Sequence, residues 1–260
     1  MKTYPVQFVG AGPGDPELIT VKGMRALENS DLVVYAGSLV PDAVLAWTSQ
    51  GVRLENSAKM ELETMVDLMA QAHFEGKKVV RLHSGDPSLY GAIAEQLKSL
   101  EQKGVSCEII PGVTAAFAAA ASLKIEYTLP EVTQSLILTR MEGRTPVPER
   151  ENLASLAAHG ASMAIYLSAG MADKLQETLA ESYGPQALVA VVYKASHGDE
   201  KTLWTEAGKL AQSMKKADIT RQALVIASPG LRAQKNMEFA ASRLYDKTFT
   251  HGYRQGSESE

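Results

Sequence analysis

A chain of 260 residues is long enough for one large domain or two medium ones. With 26 Lys+Arg against 30 Asp+Glu its net charge is -4, which leaves no wholesale basic surface for neutralising nucleic-acid phosphates. Hydrophobic residues at 45% and charged residues at 22% are the balance of a globular protein, and the single cysteine, Cys107, rules out an internal disulfide or a thiolate zinc cluster.

The opening segment MKTYPVQFVGAGPGDPE has no apolar stretch of signal-peptide length. No run approaches the roughly 18 apolar residues of a membrane span; the longest, Ala115 to Ala121, is short and small-sided. The expectation is a soluble, cytoplasmic protein with neither membrane nor nucleic acid as partner.

Val6–Val9 is a short apolar run that stops at Gly-Ala-Gly-Pro-Gly-Asp-Pro and reads as a strand. Glu17–Asn29 follows at helical spacing, then a strand over Asp31–Tyr35, a short helix over Pro41–Thr48 and a longer one over Glu61–Glu75. Lys78–Leu82 is a strand ending at His-Ser-Gly-Asp-Pro. Leu89–Lys103 is a helix stopped by Gly104, and Ser106–Ile110 is a strand ending at Pro-Gly-Val-Thr. Ala115–Leu123 is a helix of small residues. This alternation with short loops predicts a mostly parallel sheet with helices on both faces.

The texture changes after Tyr127. Strands over Gln134–Thr139, Ala161–Leu167, Ala187–Tyr193 and Ala223–Ala227 alternate with helices over Asn152–His159, Ala172–Tyr183 and Leu210–Lys216, and Trp204 marks a returning strand or a helix entry. The sequence thus predicts two α/β domains, residues 1–122 and 123–235, the second with a mixed sheet. A tail covers 236–260, and within it Tyr245–Glu260, with few apolar residues, reads as poorly ordered.

The loop Gly10–Pro16 invites comparison with the dinucleotide fingerprint and fails it. Asp15 stands where the third glycine belongs, and the second strand runs into Ala36-Gly37-Ser38 with no acidic residue. No Lys-Ser/Thr pair follows the glycines, so a phosphate loop fails too. The plain reading is a tight strand-to-helix turn. His83-Ser84-Gly85-Asp86-Pro87 and Pro111-Gly112-Val113-Thr114-Ala115 also follow predicted parallel strands, where ligands of open α/β sheets bind. Gly85 permits close backbone approach, and Asp86 is either a helix cap, an acceptor for ligand hydroxyls or amines, or both. Three such loops at three strand ends favour a site over coincidence.

Other chemistry is sparse. No G-x-S-x-G elbow occurs, and the five histidines lack the close pairing of helical metal motifs, so no protein-bound metal is expected. Cys107 reads as a small buried hydrophobe, and Met60, Met65 and Met69 as core. The loop around Glu142-Gly143-Arg144, with Arg140 and Arg150 nearby, is either solvated or a clamp for carboxylates.

The segments VGAGPGDPELIT at 9–20, RLHSGDPSLYG at 81–91 and IPGVTAAFAAAA at 110–121 together resemble the class III S-adenosylmethionine-dependent methyltransferases that build corrin and sirohaem. YAGSLVP at 35–41, EYTLPEVTQSLILTRMEGRTPVPE at 126–149 and VVYKAS at 191–196 narrow the resemblance to the branch acting on C-11 of a precorrin. Ser84 stands where uroporphyrinogen-methylating relatives have a first glycine before Gly85, Asp86 and Pro87, which weakens the sirohaem reading. The resemblance implies a cofactor cleft between two α/β domains and a homodimer. Carried over residue by residue, it implies S-adenosylmethionine contacts at Pro13, Gly85, Asp86, Leu89, Thr114, Ala115, Leu167, Ala195 and Ala223, with S-adenosylhomocysteine as product.

The substrate implied is a tetrapyrrole, precorrin-4 or its cobalt complex, in cobalamin biosynthesis. Its acetate and propionate groups suggest Arg81, Arg140, Arg144 and Lys194 as partners. Asp15, facing the macrocycle, and His83 are the candidates for taking up the proton lost from the ring. Methylation at another ring position, or a non-catalytic tetrapyrrole-binding dimer, are the alternatives that a product assignment separates.

Overall fold

The computed structural model describes residues 3–257. The chain divides into two compact units, residues 1–119 with Lys194–Glu200, and residues 120–193 with 201–260. Chain order alone assigns Lys194–Glu200 to the second half. It groups with the first because its side chains pack on the loop around Gly14 and Asp15.

The first unit runs β1 (Val6–Gly10), α1 (Val21–Glu28), β2 (Leu32–Tyr35), α2 (Asp42–Leu45), β3 (Arg53–Asn56), α3 (Leu62–Phe74), β4 (Val79–His83), α4 (Ile93–Gln102) and β5 (Cys107–Ile110). Its five strands are all parallel, in the order β3-β2-β4-β1-β5. Side chains alternate between faces, as the two-residue period of a strand requires. Val6, Phe8, Leu32, Val34 and Val79 pack against Met65, Val66 and Met69 of α3 and Leu100 of α4. Val9, Val33, Val80, Leu82 and Ile110 meet Ala26 and Leu27 of α1 and Val44 and Leu45 of α2. Each such buried aliphatic side chain contributes about 1.5–3 kcal/mol, and burial on both faces explains the unbroken apolar runs.

Two helices differ from their sequence expectation for local reasons. Asp15 accepts from the Glu17 amide and caps a short 3-10 turn, Pro16–Leu18; Thr20 then caps α1 by accepting from Gly23, so the helix starts at Val21. Tyr90 and Ala92 sit at φ of +56° and +49°, which delays α4 to Ile93.

The division between units falls within α5 (Ala115–Leu123). The second unit continues with β6 (Leu136–Arg140), α6 (Leu153–Ala157), β7 (Ser162–Tyr166), α7 (Ala172–Tyr183), β8 (Leu188–Tyr193), β9 (Lys201–Glu206), α8 (Leu210–Lys216), β10 (Ala223–Ala227) and α9 (Leu231–Asn236). Its sheet order is β6-β7-β10-β8-β9, with β6 and β7 parallel and the other neighbours antiparallel, so the sheet is mixed. Met163, Ile165, Val189, Val191 and Val225 line one core with Leu175 and Leu179 of α7 and Leu210 and Met214 of α8. The tail carries local structure of its own: Ser242 caps a 3-10 turn at Arg243–Tyr245, and Arg254 donates to the carbonyls of Leu244 and Asp246.

Candidate active site

Strand order builds the site. β1 lies between β4 and β5, so the loops leaving the carboxyl ends of these three strands are neighbours. The Ala11 amide donates to the His83 carbonyl at 2.7 Å, and Gly12 and Gly85 exchange backbone hydrogen bonds of 3.3 and 2.8 Å. A Cβ on Gly10 would lie 2.6 Å from the Gly112 Cα, and one on Gly112 would lie 2.2 Å from the Gly85 carbonyl oxygen. The three backbones therefore touch where no side chain fits. Gly85 is glycine for a second reason, its φ of +64°.

Asp86 ties two of the loops. Its Oδ1 accepts from the Ser88 amide at 2.8 Å, capping its own turn, and its Oδ2 accepts from the Gly112 amide at 2.9 Å. The cap reading holds at Oδ1, while Oδ2 ties the carboxylate to the backbone of the third loop. Pro13 and Gly85 are buried on these loops, and Asp86, Leu89, Thr114 and Ala115 are half-buried. Ala195 is buried within Lys194–Glu200. Asp15 is half-buried: its amide donates to Ser196 Oγ at 3.0 Å, and its Oδ1 accepts from Glu17 at 2.9 Å.

Two other expectations need correction. His83 is 4% exposed, its ring lies against Phe8 with centroids 5.8 Å apart, and its Nε2 is buried with no hydrogen-bond partner. Burial first, and the Arg81 charge second, push its pKa down to about 3. A base that weak does not take up a proton at neutral pH. Arg81 is 6% exposed and donates to Gln96 at 3.1 Å and to the Val34 carbonyl at 3.2 Å, so it braces the sheet against α4 rather than meeting a ligand. Burial alone lowers its pKa to about 10, and it remains a cation.

In the second unit, Arg140, Leu167 and Ala223 come together at one end of the sheet. Arg140 ends β6 opposite Tyr166, and the register that pairs Val225 with Ile165 puts Ala223 level with Leu167. Leu167 is 70% exposed in a left-handed conformation with φ of +53°. Arg140 is committed to its own loop: it donates to the carbonyls of Met141, Thr145 and Pro146 at 3.3, 3.1 and 2.7 Å. The same loop is fixed at Met141, whose amide donates to the buried Ser168 Oγ at 2.8 Å. Arg144, at its tip, is exposed and makes no ion pair among the described residues. Lys194 pairs with Asp199 at 2.6 Å.

Sequence reasoning missed Ser168, Ser196, His197 and Glu200. Nothing local marks Ser196 and His197, since the residues they hold, Asp15 and Gly14, lie far along the chain, 181 residues away for Ser196 and Asp15. Cys107 is half-buried, and burial raises its thiol pKa. Among the described residues no three His, Cys, Asp or Glu side chains gather as a metal-binding group, and no helix is long and apolar enough to cross a membrane.

Residues 5–211 match the family Tetrapyrrole (Corrin/Porphyrin) Methylases. A cobalt-precorrin-4 C(11)-methyltransferase of Methanocaldococcus jannaschii is 51% identical over 251 residues, covering 96% of each chain. A precorrin-4 C(11)-methyltransferase of Pseudomonas aeruginosa is 46% identical, covering 96% of this chain and 99% of its own. Among solved structures, the cobalamin biosynthetic enzyme cobalt precorrin-4 methyltransferase superposes with a TM-score of 0.85 at 45% identity, covering 87% of this chain and 95% of the other.

Proposed function

This chain belongs to the tetrapyrrole (corrin/porphyrin) methylases, and from that premise we propose that it transfers a methyl group from S-adenosylmethionine to C-11 of precorrin-4 or of its cobalt complex. The observation that carries the reading is the contact of Gly10, Gly85 and Gly112 at three adjacent strand ends, with Asp86 pinning Gly112. Relatives named for the cobalt substrate and for the metal-free one are similarly close, at 51% and 46% identity, so the reading spans both.

The residues fit the cofactor. Side chains are absent where the three loops meet, Thr114 and Ala115 are small, and each Asp86 oxygen keeps a lone pair beyond its amide bond. When bound, S-adenosylmethionine supplies an electrophilic sulfonium methyl and a neutral leaving group, so the difficult chemistry is the cofactor's. The chain's part is position and electrostatics. Pro13, Gly85, Asp86, Leu89, Thr114, Ala115 and Ala195 form the contact set of the first unit, and Leu167 and Ala223 that of the second. Asp15, half-buried and with one oxygen used as a cap, is the carboxylate for the proton released by the ring. Arg144, exposed and without an ion pair among the described residues, is a cation for the macrocycle's carboxylates, with Lys194 beside Asp199 in a secondary role. The family resemblance supports a homodimer working in the cytoplasm.

Calorimetric titration with S-adenosylhomocysteine, with NADH and ATP as controls, tests the cofactor, and mass and NMR assignment of the methylated product tests the ring position. Selective binding and a C-11 methyl support the reading. Absence of binding, or a methyl elsewhere on the ring, overturns it.

A further inference from the structure

The segment Lys194–Glu200 is folded on itself more tightly than a connection between two strands requires. The His197 amide donates to the Lys194 carbonyl and the Glu200 amide to the His197 carbonyl, both at 3.0 Å. Glu200 Oε2 accepts from the Ser196 amide at 2.5 Å, and Asp199 pairs with Lys194. Lys194 and Ser196 hold φ of +47° and +64°, left-handed conformations that a non-glycine residue keeps only where its surroundings over-determine them. Such strain clusters at functional sites.

What this folded segment presents is directed at one target. Ser196 Oγ accepts from the Asp15 amide at 3.0 Å. The His197 ring lies so close over Gly14 that a Cβ there would be 2.2 Å from its Cδ2. Two consecutive side chains thus grip two consecutive residues of the glycine loop, between Pro13 and the capped turn at Pro16.

We propose that Ser196 and His197 are positioning residues that hold the loop Gly10–Pro16, and with it Pro13 and Asp15, in the conformation that methyl transfer uses. This rests on the proposed function, but the grip itself is a property of the free protein.

The test uses the full chain and three variants, Ser196→Ala, Ser196→Thr and His197→Ala. In Ser196→Ala, exchange of the Asp15 amide followed by NMR accelerates about five-fold, the worth of one neutral hydrogen bond. KM for S-adenosylmethionine rises by a similar factor while the melting midpoint stays at the wild-type value. Ser196→Thr, which keeps the hydroxyl, restores both readouts. His197→Ala, which removes the ring lying over Gly14, likewise raises KM while the melting midpoint stays at the wild-type value. Unchanged Asp15 exchange in Ser196→Ala overturns the proposal. So does a lowered melting midpoint with unchanged KM, which marks a merely structural contact. A wild-type chain that transfers no methyl group sinks the proposed function instead, and the exchange measurement still decides the grip.

Discussion

Asp86 and Gly112 lie 26 residues apart in the chain and are joined by a 2.9 Å hydrogen bond from the glycine amide to the carboxylate. The second oxygen of the same carboxylate accepts from Ser88. Replacing Asp86 with Asn leaves one acceptor oxygen for two amides and turns an NH2 group towards the other. A hydrogen bond to a charged group is worth about 1.5–3 kcal/mol, so affinity for S-adenosylhomocysteine is expected to fall roughly 10–100-fold in a calorimetric titration. Retained affinity would mean that the loops hold their places without Asp86.

The glycines are separable by cause. At Gly112 a Cβ meets the Gly85 carbonyl oxygen at 2.2 Å, whereas at Gly104, with φ of +75°, it meets nothing within 4 Å. Gly112→Ala is therefore expected to lose about 2–3 kcal/mol through overpacking against backbone that cannot yield, and Gly104→Ala about 1 kcal/mol through conformation alone. Urea unfolding of the two variants checks the ordering.

His83 makes stability depend on acid. Its pKa is about 3 in the fold and near 6.5 when unfolded, so between those values the unfolded chain holds the extra proton. Its contribution is complete above about pH 6.5 and is lost as the pH falls through that window, with a slope of up to about 1.4 kcal/mol per pH unit. His83→Phe keeps a ring against Phe8 and deletes the unpartnered Nε2. Unfolding at pH 7, 6 and 5 is expected to show the variant gaining on wild type as the pH falls. Parallel pH curves would show that the folded and unfolded chains take up the His83 proton equally.

Arg144 and Arg140 are expected to fail differently. Arg144→Ala removes an exposed charge and raises KM for the tetrapyrrole about 10–100-fold, leaving affinity for S-adenosylhomocysteine unchanged. Arg140→Ala frees the carbonyls of Met141, Thr145 and Pro146 and lowers stability by about 1–2 kcal/mol. Arg140→Lys does not rescue it, because an ammonium cannot reproduce the fork. Equal loss of cofactor and tetrapyrrole binding in Arg144→Ala would count against its assignment.

The first sheet and its three loops were legible because β1, β2 and β4 are buried on both faces and because β1, β4 and β5 run into loops of glycine and proline. The edge strand β3 was not: Arg53-Leu54-Glu55-Asn56 pairs only with β2 and is mostly exposed, so no apolar run marks it. Helix α9 was hidden in the same way by the polar sequence Leu231–Asn236, where Leu231 and Gln234 alone are buried. At the site, residue types announced glycine and proline but not commitment. Arg81, Arg140 and Arg144 look alike in sequence, and what distinguishes them is whether Gln96, a row of carbonyls, or solvent surrounds the guanidinium.

The central place of β1 also governs when the site comes into being. Gln7 pairs with Val80 on one side and with Glu108 on the other, so the glycine loop has no walls until strands some 70 to 100 residues further on have docked. Such non-local parallel pairing is slow to form. A chain caught partway, or stalled before β5 is released from synthesis, has its first loop written and nowhere to hold a ligand. Nucleoside binding is thus the signature of a finished sheet, and a bound nucleoside shields the completed fold from unfolding without guiding the chain towards it.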